Sequence, residues 1–87
     1  MNEEIKGTDS IGYADYLHIV FNEKCVQHFP DDALNTTFDE VLEVAKKNGF
    51  EGGTILLVAE SPLNGTVYRY GNYGDYWVKI GETMGYA

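Results

Sequence analysis

The chain has 87 residues, of which 44% are hydrophobic and 23% are charged, and its formal net charge at pH 7 is −8. This composition is too hydrophobic for a disordered chain, and the length suits one small domain. The single cysteine, Cys25, excludes an intramolecular disulfide, and the strongly acidic balance argues against direct binding to nucleic acid or to an anionic membrane.

The N-terminus carries no targeting signal, because residues 1–10 lack both the basic and the apolar region of a signal peptide. No apolar run approaches the ~20 residues that cross a bilayer. We therefore expect a cytoplasmic protein. A single small acidic domain should cover residues 1–87, with residues 1–9 as a disordered tail.

The acidic excess is confined to the first half of the sequence. Residues 1–43 contain ten acidic and two basic side chains, whereas residues 44–87 contain four of each. Such a field attracts basic partners. The alternative interpretation is that the acidity serves solubility alone.

The segment from Ser10 to His28 is ambiguous between helix and strand. Aromatic and β-branched residues in 15–21 (DYLHIVF) favour a strand. Three features favour a helix: Ser10 could cap it, Pro30 would end it, and a polar stripe runs along it. The stripe consists of Asp15, His18 and Asn22. The balance favours a helix ending near His28, with an N-terminal strand as the alternative.

A helix is predicted over residues 37–48. Thr37 and Glu40 have the spacing of a capping box, and Gly49 followed by Phe50 is typical of a helix end. One apolar stripe with helical spacing needs a sheet to cover it. Its residues are Phe38, Val41, Leu42 and Ala45.

Three strands are predicted after the helix, over residues 54–60, 66–70 and 76–80. The first is an unbroken apolar run, which indicates a central strand buried on both faces. Asn64-Gly65 predicts a hairpin between the first two strands. The fold class is α+β, with one or two helices packed on a small antiparallel sheet. That sheet is a three-stranded C-terminal meander with a possible fourth, N-terminal strand.

Chemistry-bearing residues are sparse. Cys25 and His28 are spaced C-x-x-H, and on a helix His18 would share their face, which makes a thiol or metal site a third-ranked hypothesis. Structural zinc needs four ligands, and the chain has no second Cys/His pair. We expect no enzyme activity, no cofactor and no metal.

Two groups of residues are candidates for binding a partner protein. Acidic side chains near and on the predicted helix form the first group: Asp31, Asp32, Asp39, Glu40 and Glu43. The second group lies in the aromatic stretch TVYRYGNYGDYWVKI: Tyr68, Arg69, Tyr70, Tyr73, Tyr76 and Trp77. Exposed Tyr, Trp and Arg are typical of interface hot spots. The same residues are also good strand formers in cross-strand pairs. A platform that stacks nucleic-acid bases is a third interpretation, which the acidic charge of the chain disfavours.

In length, acidity and lack of catalytic groups the chain resembles the small proteins that phages and mobile elements encode against restriction or CRISPR nucleases. The likeness is one of type and transfers no residue role. It implies a non-enzymatic inhibitor of a basic nucleic-acid-handling protein in a bacterial host cell, with DNA mimicry as one mechanism of inhibition. The alternative is a structural or regulatory protein that forms a homodimer through an aromatic sheet face.

Overall fold

The structure is a computed structural model that describes residues 4–61 and 65–84, with the side chains of residues 83 and 84 excepted. It contains one helix and five strands in the described part of the chain. In chain order they are β1 (Tyr16–Phe21), β2 (Lys24–His28), α1 (Phe38–Lys47), β3 (Thr54–Ser61), β4 (Thr66–Tyr73) and β5 (Trp77–Met84).

The strands form one antiparallel sheet in the order β2-β1-β3-β4-β5. Helix α1 packs on one face of this sheet, which we call the helix side. The α+β class predicted from the sequence is confirmed. The C-terminal meander is present as β3, β4 and β5, and two further strands extend it on the β1 side.

The prediction of a helix that ends near His28 is wrong, because this segment forms the β1–β2 hairpin. Alternate residues of β1 are buried, as expected for a strand with one face on the core. Asn22 and Glu23 connect the two strands with φ values of 49° and 62°. Two successive left-handed residues are the geometry of a tight hairpin turn, and asparagine tolerates it well.

Helix α1 forms where the sequence predicts it. The Thr37 side chain caps it by accepting the Glu40 backbone N–H at 3.4 Å. Gly49 takes a φ of 101°, and the Phe50 N–H then donates to the Ala45 carbonyl at 3.0 Å. The reciprocal half of the capping box is replaced by another contact, since the Glu40 carboxylate lies 3.4 Å from the His28 ring.

The strands β4 and β5 are longer than predicted. Strand β4 runs through Asn72 and Tyr73, so the turn is confined to Gly74–Tyr76. The Asn72 side chain closes this turn by donating to the carbonyls of Gly74 and Tyr76, both at 3.3 Å. The predicted hairpin at Asn64-Gly65 falls partly on residues 62–64, which lie outside the described residues.

The core lies between α1 and the helix side of the sheet. Strand β3 is central, as predicted, but only its helix side is fully covered, because Leu56 on the other side is 37% exposed. The expectation that β3 is buried on both faces is therefore wrong. The largest fully buried side chains are Trp77, Phe38, Leu17, Ile19, Ile55, Leu57 and Val41.

Part of the segment predicted as a tail lies against the sheet. Ile5 exchanges two backbone hydrogen bonds with Trp77, at 2.7 and 2.9 Å. Ile5 is partly buried and packs against the core. Residues 1–3 of that segment lie outside the described residues.

The stability of the domain should depend on β3. Replacing Leu57, which is fully buried, by alanine should lower the free energy of unfolding by about 3 kcal/mol, because it leaves a cavity at the centre of the core. The matched control is Leu34→Ala, where the side chain is 63% exposed and the change should stay within about 0.5 kcal/mol. Urea denaturation followed by circular dichroism measures both. Equal losses in the two variants would contradict the described core.

Candidate protein-binding surfaces

The five predicted acidic residues are exposed and lie close together in the chain's fold. Asp31 and Asp32 lie in the loop that leads into α1, and Asp39, Glu40 and Glu43 lie on the first two turns of α1. We call these five residues the acidic face.

Helical periodicity places these acids outward. Phe38, Val41 and Ala45 are buried against the sheet, and the three acids of α1 lie on its exposed side. Asp39 and Glu40 also lie in the first turn, where the positive end of the helix dipole stabilises carboxylates. The outward direction of the acidic face is therefore set by the packing of the opposite side of α1.

The carboxylates of the acidic face have few partners. Asp32 accepts the Leu34 N–H at 3.1 Å and the Asn35 side-chain amide at 2.8 Å, and these bonds, chiefly the one from Asn35, lower its pKa. Glu40 contacts His28. Among the described residues, none of the five forms an ion pair with lysine or arginine.

A cleft extends the acidic face. It has a volume of about 580 Å³ and lies between α1, the loop 50–53 and the β4–β5 turn. Asp39, Glu51 and Asp75 line it together with a single basic residue, Lys46. Sequence reasoning missed Glu51 and Asp75 because only the chain's topology brings these distant residues next to Asp39.

Two of the predicted aromatic binding residues belong to the core. Trp77 is 1% exposed and Tyr70 is 6% exposed. The Phe38 ring packs against both, with centroid distances of 5.1 Å to Trp77 and 5.0 Å to Tyr70. Burial raises the pKa of Tyr70. These two side chains hold α1 on the sheet and have almost no surface left for a partner.

Tyr68 and Arg69 are half-buried on opposite sides of β4. Tyr68 lies on the helix side, where the Lys79 ammonium lies 4.8 Å from its ring centroid. Lys79 also pairs with Glu82 at 2.6 Å, and this hydrogen bond raises the lysine pKa. Tyr68 is thus already covered in part by a β5 side chain.

Tyr73 and Tyr76 are the exposed aromatic residues of the stretch, at 47% and 37%. Their ring centroids are 6.1 Å apart. With Val78 and Ile80 they line a shallow depression of about 490 Å³, with Glu4 at its rim. A side chain at Gly71 would meet Ile80 and Tyr73 within 3.0 Å, so glycine is what lets these two side chains close over β4.

This depression belongs to the sheet face opposite α1, which we call the open sheet face. The strand registers place residues of all five strands on it. No described helix or strand packs over this face, although the Phe29 ring stacks on Tyr16, and many of its residues are apolar. The apolar members on the strands are Tyr16, Val20, Leu56, Val58, Val67, Tyr73, Val78 and Ile80.

The arrangement hypothesised for Cys25, His28 and His18 does not form. Cys25 and His28 are three residues apart in β2, so their side chains point to opposite faces of the sheet. His18 pairs with Glu60, and His28 lies near Glu40. No group of three metal-ligating side chains occurs within the described residues.

Comparisons of the chain with family models, with curated proteins and with solved structures find no match. No helix in the described part of the chain has the length and apolarity needed to cross a membrane.

The local hydrogen bonds of Asp32 predict its titration. The Asp32 pKa should lie below its ordinary value of 3.8, and Asn35→Ala should raise it because the largest stabilising contact of the charged form is lost. Since the folded-state pKa is the lower one, the stabilisation that Asp32 provides is complete above about pH 3.8 and is lost as the pH falls through the folded-state value.

Carboxylate NMR during an acid titration measures this pKa. The control is Asn48→Ala, which removes an amide that bonds only the Val44 carbonyl and should leave Asp32 unchanged. An Asp32 pKa that Asn35→Ala does not move would contradict the described loop.

Proposed function

We propose that the protein is a non-enzymatic binding module that inhibits a basic nucleic-acid-handling protein of the restriction or CRISPR nuclease type. Its acidic face occupies the groove that normally holds the phosphate backbone. The proposed setting is the cytoplasm of a bacterial cell, with a phage or mobile element as the source of the gene.

The observation that carries this proposal is the set of exposed carboxylates on α1 and its leading loop that have no lysine or arginine partner among the described residues. An exposed acid paired with lysine has part of its field cancelled, but the acidic face has no lysine or arginine partner among the described residues. The cleft beside it adds Glu51 and Asp75. A basic partner therefore meets a concentrated negative field, which favours fast, steered association.

The spacing of charge on α1 is compatible with mimicry of DNA. Asp39, Glu40 and Glu43 cover four residue steps, or about 6 Å along the helix axis at ~1.5 Å per residue. The mean spacing of these three charges is therefore about 3 Å, against ~3.4 Å between successive phosphates along one strand of DNA. Lysine and arginine side chains that normally contact phosphates would find carboxylates at a similar density.

The aromatic side chains have a smaller part in this proposal than the sequence suggested. Tyr70 and Trp77 are buried, and Tyr73 and Tyr76 lie on the open sheet face, away from α1. A single flat partner surface cannot contact both the acidic face and the open sheet face. The proposal therefore assigns binding of the basic partner to the acidic face alone.

Charge reversal on α1 tests the proposal. The double variant Glu40→Lys with Glu43→Lys should weaken binding at least about tenfold, or ~1.4 kcal/mol, because two attractive contacts become repulsive. The control is Glu4→Lys with Glu23→Lys, which changes the net charge equally at two exposed acids outside the acidic face. Circular dichroism should show that both variants fold.

The measurement is capture from lysate of the bacterial host at low and at high salt, followed by mass spectrometry and competition with duplex DNA. The captured protein should bind DNA, should dissociate at high salt, and should be displaced by excess duplex. Retention that ignores salt and duplex, or an equal effect of the two double variants, would contradict the proposal.

A further inference from the structure

The open sheet face differs in charge from the rest of the protein. Glu60 and Arg69 are the formally charged residues that the described strands place on it, and Glu4 lines its depression, so the formal charge of this face is −1, while the whole chain carries −8. The other acids of the chain lie around this face and on the helix side. Two copies of so acidic a protein therefore repel each other less through their open sheet faces than through their acidic faces.

This face carries apolar surface at its centre and at its edges. Leu56 on the central strand is 37% exposed, and Ile80 near the β5 edge is 52% exposed. Phe29 follows β2 and is 68% exposed, with its ring stacked on Tyr16 at 4.6 Å. Contiguous apolar surface of this kind marks association sites more often than isolated exposed side chains do.

Phe29 and the depression at Tyr73 lie at opposite corners of the face. Phe29 lies beyond the β2–β1 edge, at the end of the sheet where Tyr16 pairs with Glu60. The depression lies at the β5 edge, at the end where Thr54 pairs with Tyr73. One corner therefore protrudes and the diagonal corner is concave.

A two-fold axis can lie in the plane of the contact, along the diagonal that joins the other two corners. It then places the protruding corner of each copy over the concave corner of the other. We propose that two copies of the chain form a homodimer through their open sheet faces, with Phe29 of each copy seated in the depression lined by Tyr73, Tyr76, Val78 and Ile80 of the other. The contact is isologous, so each Phe29 ring is buried in the same way. The strands of the two sheets cross at nearly a right angle, which is one of the two regular modes of sheet packing.

The area of the open sheet face indicates how large the dimer interface can be. Five strands at ~4.8 Å spacing and up to about eight residues at ~3.3 Å give a projected area of about 600 Å². This is somewhat below the ~800 Å² per partner of a standard interface. The dimer is therefore reversible, and it adds stability to a domain whose core is small.

Sedimentation equilibrium over a range of protein concentrations tests the inference without any other partner, so its outcome is independent of the proposed function. The average mass should rise from 9.7 kDa towards twice that value as the concentration increases. Phe29→Ala should raise the dissociation constant at least about tenfold. Ile80→Glu should abolish the dimer because it places an unpaired carboxylate against the buried Phe29 ring of the other copy.

The matched control is Leu34→Ala, because Leu34 is about as exposed as Phe29 and lies in the loop before α1. It should leave the dissociation constant unchanged. A chain that stays monomeric at the highest concentration would overturn the inference. So would a dimer that resists both Phe29→Ala and Ile80→Glu, because such a dimer uses another surface.

Cross-linking tests the diagonal arrangement itself. In a Cys25→Ser background, chains with Phe29→Cys are mixed with chains with Tyr76→Cys under mild oxidation. A disulfide should link one kind of chain to the other faster than either kind links to itself, because the axis places position 29 of one copy over position 76 of the other. Faster self-linking at position 29 would contradict the proposed axis.

Discussion

The packing of Phe38 between Trp77 and Tyr70 is the contact on which the rest of the structure depends. It joins the first turn of α1 to the last two strands of the sheet. Once Phe38 is fixed there, helical periodicity buries Val41 and Ala45 and turns Asp39, Glu40 and Glu43 outward. The Trp77 ring nitrogen is buried without a hydrogen-bond acceptor among the described residues, so apolar packing of the ring holds it in place.

This packing gives the two sides of the domain different chemistry. The helix side carries the acidic face and the cleft at Glu51 and Asp75, and the open sheet face carries little net charge and is rich in apolar side chains. The two proposals use these sides separately. A dimer formed through the open sheet faces leaves both acidic faces pointing outward, so self-association and capture of a basic partner are compatible in one assembly.

The sequence predicts elements whose signals are local. Thr37, Gly49 and the apolar stripe of α1 define that helix to within a residue or two, and the β3–β5 meander follows from its alternation and turns. The β1–β2 hairpin was missed because its turn, Asn22-Glu23, lacks glycine, and because residues 16–21 have both helical and strand-like patterns. Alternation separates the two faces of each strand, but it cannot tell which face α1 covers. The cleft was not predictable, since Asp39, Glu51 and Asp75 meet only through the tertiary fold.

Fluorescence of the single tryptophan reports on the contact between Trp77 and Phe38. We expect blue-shifted emission that acrylamide and iodide hardly quench, and a shift to red, readily quenched emission only when the protein unfolds. Native emission that is already red-shifted and freely quenched would mean that Trp77 is a surface anchor. In that case α1 is not held on the sheet as described.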